Sequence, residues 1–236
     1  MLRRRVTPEE QADAPEFDGT GMLAVRDRLR GDLDVNDGEM VVLLGASGTG
    51  KTTWLRSLMG LGNPFDRAFY DGKSFTKERV AQTVGWVPEG DGVFLSDTVW
   101  NNVAAPLHVR PTSPERSADA LDLVGLSDRA GEPVSNLNLG ARRRVALARA
   151  VARRLPLLIV DGELDPTLWS FWPALREHMP WIRASLVATA TANDTAWHAD
   201  RVALIDDGCV VAQGTLASLV DSRDARVKSV LAWVTP

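Results

Sequence analysis

Met40-Val41-Val42-Leu43-Leu44-Gly45-Ala46-Ser47-Gly48-Thr49-Gly50-Lys51-Thr52 decides how this chain is read. The apolar run from Met40 to Leu44, stopped by a glycine, fits a strand buried on both faces. Gly45 to Thr52 matches G-x-x-x-x-G-K-[ST] in full, and Lys51 to Leu61 reads as the succeeding helix, ended by Gly60 and Gly62. Glycines let backbone N–H groups turn inward around phosphate oxygens, and the helix N-terminus adds partial positive charge. A lysine at position 51 reaches the β and γ phosphates, and a threonine hydroxyl at 52 is a ligand for Mg2+. The expected nucleotide contacts are Gly45, Ser47, Gly48, Thr49, Gly50, Lys51, Thr52 and Thr53.

Further apolar segments extend the pattern. Met22 to Val35 is arginine-rich and suits one or two edge strands. Val80 to Val87 reads as a second strand, and Leu157 to Val160 as a third buried one. Ser185 to Thr189 and Arg201 to Ile205 supply two more. Asp207-Gly208 makes a hairpin turn into Cys209–Ala212. Helices are expected at Ser113 to Val124 and Arg142 to Arg154. Strands alternating with helices predict a mainly parallel α/β sheet. Residues 1–15 are polar and read as a loose arm, 16–236 as the folded domain, with an inserted helical subdomain near 90–140.

Composition narrows the function classes. The chain has 236 residues, 44% hydrophobic and 25% charged, enough apolar content for a sizeable core. Lys plus Arg number 27 against 31 Asp plus Glu, a net charge of −4 that gives no support for a nucleic-acid binder. The single cysteine, Cys209, excludes an intrachain disulfide and a cysteine-built metal site. His108, His178 and His198 are not spaced as a helical metal pair, so no zinc is expected. Charged Met1–Arg5 is followed by Thr7, Pro8, Glu9 and Glu10 rather than an apolar run, and no export is read.

Leu157-Leu158-Ile159-Val160-Asp161 is an apolar strand ending in a carboxylate, where phosphate-loop enzymes orient Mg2+. Before it stands Leu137-Asn138-Leu139-Gly140-Ala141-Arg142-Arg143-Arg144-Val145-Ala146-Leu147-Ala148-Arg149-Ala150. This resembles the signature segment of ABC-type ATPases, LSGGQ followed by polar residues and RVALARA, and Arg144 to Ala150 matches fully. Val84 to Glu89 looks like the family's Q-loop strand, and Thr98 to Val103 like the segment after it. Ala199-Asp200-Arg201 through Asp207-Gly208 and Gly214-Thr215 look like its ending. The resemblance covers most of the chain. It implies an α/β phosphate-loop sheet of the ABC type with an inserted helical subdomain and a small antiparallel β portion. It adds Asn138 and Gly140 to the nucleotide contacts and Glu89 to the Mg2+ ligands Thr52 and Asp161.

The chain departs from that family where the chemistry sits. The residue after the strand-end Asp is a water-polarising Glu in the family and Gly162 here. The switch histidine falls on Ala190, and the D-loop Asp on Leu168. Asn138, Leu139 and Ala141 replace the Ser, first Gly and Gln of the signature, and Glu89 replaces the Q-loop Gln. Glycine and alanine cannot take a proton or orient water, and a positioned general base is worth about 10²–10⁴-fold. Glu163 or Asp165 could substitute, although on an extended strand Glu163 points to the same side as Asp161.

The resemblance therefore implies a subunit that binds ATP with Mg2+ and hydrolyses it weakly or not at all. The alternative is an active transport ATPase using a base such as Glu163. Partners implied are a membrane permease, met through the helical subdomain, and a second ABC ATPase subunit, with a heterodimer favoured, on the cytoplasmic face of the membrane. Phe94 and Trp100 suit either permease contact or core packing. Trp169, Trp172 and Trp181 suit either a protein surface or the core. The family stacks adenine on an aromatic upstream of the phosphate loop, and the resemblance leaves Phe17, the only aromatic before Gly45, as the residue for that role. The arginines 142, 143, 144, 149, 153 and 154 read as the solvated face of the signature helix.

Overall fold

All of Met40–Leu44 is buried, and its side chains divide between two cores. Met40, Val42 and Leu44 join one cluster, while Val41 and Leu43 join the other. Successive side chains of a strand point to opposite faces, so a strand apolar at every position needs a covered sheet on both sides. A computed structural model shows that cover, describing residues 22–90, 92–105, 113–162, 177–192 and 194–234.

The elements run β1 (Leu23–Arg26), β2 (Leu33–Val35), β3 (Met40–Leu44), α1 (Lys51–Leu58), β4 (Arg67–Tyr70) and β5 (Lys73–Ser74). Next come α2 (Lys77–Thr83), β6 (Val84–Val87), α3 (Val99–Ala104), α4 (Pro114–Leu123) and α5 (Leu139–Ala152). The last part holds β7 (Leu157–Val160), β8 (Ala184–Thr189), α6 (Asp194–His198), β9 (Arg201–Asp206), β10 (Cys209–Gly214), α7 (Leu216–Val220) and α8 (Ala225–Val234).

The main sheet has the order β10-β9-β3-β8-β7-β6. Its neighbours pair in parallel except β9 with β10, which form the hairpin around Asp207-Gly208. A smaller antiparallel sheet, β2-β1-β4-β5, covers one face together with α1. Trp54 and Leu55 of α1 fill that core with Leu157, Ile159, Leu186 and Ile205 from the main sheet. On the other face, α3, α4 and α5 share one core with Leu158, Val160 and Val187. The helical segment inside 90–140 is thus continuous with the core under the sheet. Fully burying one such side chain is worth about 1.5–3 kcal/mol.

Some elements differ from the sequence reading. Val80–Thr83 is helical rather than part of a strand, because Thr76 caps α2 by accepting the Arg79 N–H at 3.4 Å. The strand is only Val84–Val87. Helix α1 stops at Leu58, and α5 begins at Leu139, earlier than Arg142. Trp100 packs on the core while Phe94 is half exposed. Trp181 packs on the core and carries the Arg154 guanidinium over its ring at 4.7 Å. Trp169, Trp172, Phe17, Glu163, Asp165 and Leu168 lie outside the described residues.

Gly45 marks the tightest approach in the sheet. A Cβ there would collide with the Ile205 carbonyl oxygen of β9 and lie 2.7 Å from Thr49 Oγ1. The first is a backbone atom that cannot swing aside. Gly45→Ala is expected to lower the unfolding free energy by about 1–3 kcal/mol in urea titrations. Gly131→Ala, with open space around its Cβ, should stay within about 0.5 kcal/mol.

Candidate functional site

The parallel register brings three chain ends together. Leu44 of β3 sits beside Thr189 of β8, and Val187 of β8 beside Val160 of β7. Gly45, Ala190 and Asp161, the residues immediately after these strands, therefore emerge at one edge of the sheet. Ligands of open α/β sheets bind at this carboxyl edge. The Gly45 N–H donates to the Thr189 carbonyl at 3.4 Å, so the phosphate loop starts against β8.

Residues 45–50 form the loop, and α1 starts at Lys51. Gly50 stands at the helix N-cap without a side-chain cap, and no acidic residue occupies the first turn. The first N–H groups of a helix have no partner within it, and here no side chain caps them, which suits an anion. Lys51 Nζ donates to the carbonyls of Gly45 at 2.6 Å and Ala46 at 2.8 Å, folding along the loop. Thr49 Oγ1 donates to the Ala46 carbonyl at 2.9 Å. The Gly208 N–H donates to the Thr49 carbonyl at 2.7 Å, so the β9–β10 turn braces the loop from outside. Ser47 and Gly48 are exposed along the loop, and Thr53 is exposed in the first turn of α1.

Thr52 ties the loop to two carboxylates. Its Oγ1 donates to Asp161 Oδ1 at 3.0 Å and lies 3.2 Å from Glu89 Oε2. Asp161 is buried, and its N–H donates to the Val87 carbonyl at 2.8 Å, fixing it between β6 and β7. Its Oδ2 is buried and accepts no hydrogen bond. Burial pushes the Asp161 carboxyl above the usual range; the Thr52 hydrogen bond pulls it back, and the Glu89 charge raises it further.

These residues fit Mg2+. A hydroxyl and two carboxylates converge, with one carboxylate oxygen buried and unpartnered. Mg2+ takes one or two protein carboxylates and leaves other positions to phosphates and water. Thr52, Asp161 and Glu89 would hold it, and it would neutralise charge on the phosphates.

Gly162 and Ala190, where the resemblance expects a Glu and a His, also have defined places. Gly162 succeeds Asp161 with φ 85°, a left-handed backbone that side chains rarely adopt. The extended strand thus ends before Gly162, and Glu163 lies outside the described residues. Ala190 directly succeeds β8, beside the start of the phosphate loop.

Asn138 and Gly140 stand at the start of α5. Asn138 Oδ1 accepts the Ala141 N–H at 2.8 Å, so it caps the helix. Asn is as good an N-cap as Ser, so this departure from the family keeps the capping chemistry. Leu139 beside it is 64% exposed, an apolar side chain turned outward where the helix begins.

Sequence reasoning missed Arg143. Two arginines read as a solvated face, Arg143 and Arg149, are buried. Arg143 Nη1 donates to the Gly90 carbonyl at 2.5 Å, and Nη2 to the Asp161 carbonyl at 3.0 Å. Arg149 Nη2 donates to the Gly92 carbonyl at 2.7 Å. Their spacing alone did not reveal which of six arginines turn inward.

The family model for ABC transporter matches residues 30–165. The chain belongs to the ABC transporter family. This ABC domain is 34% identical over 221 residues to the methionine import ATP-binding protein MetN of Mesorhizobium japonicum, covering 86% of this chain and 60% of the relative. It is 35% identical over 202 residues to the sulfate/thiosulfate import ATP-binding protein CysA of Caulobacter vibrioides, covering 78% of this chain and 59% of the relative. The chain thus spans about three fifths of these relatives' length. Among solved structures, cbiO1 from Clostridium perfringens, part of the ABC transporter complex cbiONQ, superposes with TM-score 0.72 at 21% identity, covering 89% of this chain and 94% of that one. A bacterial Atm1-family ABC exporter with ATP bound gives 0.71 at 24% identity, covering 90% of this chain and 41% of that one. These two likenesses show the shared fold. Among the described residues of the ABC domain, no helix is long and apolar enough to cross a membrane.

The Asp161 environment sets a pH dependence. Its raised carboxyl holds a proton more tightly in the folded chain than in the unfolded one. Its contribution to stability is therefore greatest in acid and is lost as pH rises through the raised value. Asp161→Asn removes that charge. Without Mg2+, the variant should melt above the wild type at neutral pH, and the gap should close as pH falls through the carboxyl's titration. Thermal melts across the acid-to-neutral range check this.

Proposed function

We propose that this chain is the ATP-binding subunit of an ABC transporter that holds Mg-ATP and hydrolyses it weakly or not at all. One juxtaposition carries the reading: a complete phosphate loop joined through Thr52 to Asp161 and Glu89, next to Gly162 and Ala190. The first set grips a triphosphate and its metal. The second offers no group to activate water.

The chain acts as a regulatory or structural partner in a dimer docked on a membrane permease, at the cytoplasmic face. A heterodimer is favoured. ABC domains pair head to tail, and a partner with intact catalytic residues would complete one site against this chain's α5. Leu139 would crowd that site, since it puts an exposed side chain where the family's backbone approaches phosphate. ATP on this chain's phosphate loop would act as a lasting link, shifting the dimer equilibrium by its differential affinity. The relatives' names, import proteins for methionine and for sulfate or thiosulfate, support import as the direction. Their cargoes differ and assign none to this chain.

Purified chain should bind ATP, and Lys51→Ala should weaken binding by about tenfold or more, as loss of a charge-assisted phosphate contact worth about 1.5–3 kcal/mol requires. Steady-state phosphate release should stay about a hundredfold or more below the ~10 per second common to enzymes. Several turnovers per second, abolished by Lys51→Ala, would overturn the reading. If Glu163→Gln also removed that activity, Glu163 would be the base.

A further inference from the structure

We propose that Arg143 is a positioning residue that sets Glu89 and Asp161 for Mg2+ from behind, by binding the backbone that carries both. The inference rests on the Mg-ATP reading of the site. Arg143 lies on α5, is 8% exposed, and aims its guanidinium at the sheet edge. Nη1 meets the carbonyls on either side of Glu89, Gly90 at 2.5 Å and Pro88 at 3.4 Å. Nη2 meets the carbonyl of Asp161 itself at 3.0 Å. One planar group therefore spans the loop after β6 and the end of β7, which supply the two carboxylates.

The chemistry favours arginine here. Its rigid fork can hold separate carbonyls at once, whereas a lysine ammonium on a flexible stem acts as a point charge. Arg149 takes a further carbonyl of the same loop, Gly92, so α5 grips the loop after β6 at two places. The Arg143 charge also favours ionised Asp161, opposing part of the burial effect. Gly162 lies against the guanidinium: a Cβ there would be in ordinary contact with Nη2 at 3.6 Å and Nη1 at 3.8 Å.

Partners that orient metal ligands are typically worth about 10–100-fold in metal affinity. The test is calorimetric titration of ATP into the full chain, with Mg2+ and with EDTA, for wild type, Arg143→Gln and Arg143→Lys. Thermal melts of each variant establish folding. The wild type should bind more tightly with Mg2+. In Arg143→Gln that Mg2+ enhancement should fall about tenfold or more, while affinity in EDTA changes less than about twofold. Arg143→Lys keeps the charge and should lose most of the enhancement too, and it carries the test if Arg143→Gln does not fold. An unchanged enhancement in a folded variant overturns the inference. So does a parallel loss with and without Mg2+, which marks a role in folding alone. A wild type without Mg2+ enhancement instead overturns the Mg-ATP reading beneath it.

Discussion

The parallel pairing of β3, β8 and β7 is the constraint on which the rest depends. Parallel neighbours end at the same edge, so the residues just beyond them must meet there. Leu44 against Thr189 and Val160 against Val187 fix the register. That register delivers the phosphate loop, Ala190 and Asp161 to one place although they are far apart in sequence. Burial on both faces holds it, because slipping a strand by one residue would exchange its two apolar faces between differently shaped cores.

At that edge the protein accepts an energetic cost. A carboxylate is buried at Asp161 with one oxygen unpartnered, which disfavours its ionised form. Thr52 and the Arg143 charge offset part of this, and a divalent cation would offset the rest. The same edge carries Gly162 in a left-handed conformation and Ala190 with a methyl group. The proposed separation of binding from hydrolysis rests on these groups being different side chains on neighbouring backbone. Helix α5 connects to both, through the Asn138 cap at its start and Arg143 one turn further along.

Much of this was legible in the chain. The run Met40–Leu44 followed by Gly45–Thr52 carried its own strand, loop and helix, since each is specified by local pattern and the glycine at 45 by local packing. Leu157–Asp161 and the hairpin at Asp207-Gly208 were equally readable. Val80–Thr83 misled because apolar spacing over a few residues does not distinguish helix from strand. The Thr76 cap was the overlooked signal. Asn138 departs from the signature Ser by letter, yet Asn and Ser are equally good N-caps and its side-chain oxygen caps α5.

Sequence alone determined the fold family, the phosphate-loop residues and the absence of a Glu at 162 and a His at 190, because these depend on residue identity at fixed spacing. Tertiary structure decided that Thr52, Glu89 and Asp161 converge, that Gly208 braces the loop, and that Arg143 and Arg149 are buried while Arg142, Arg144 and Arg153 are only half-buried and Arg154 is exposed. The physical reason is that a long charged side chain finds its place only when the carbonyls it can satisfy are already assembled from distant segments.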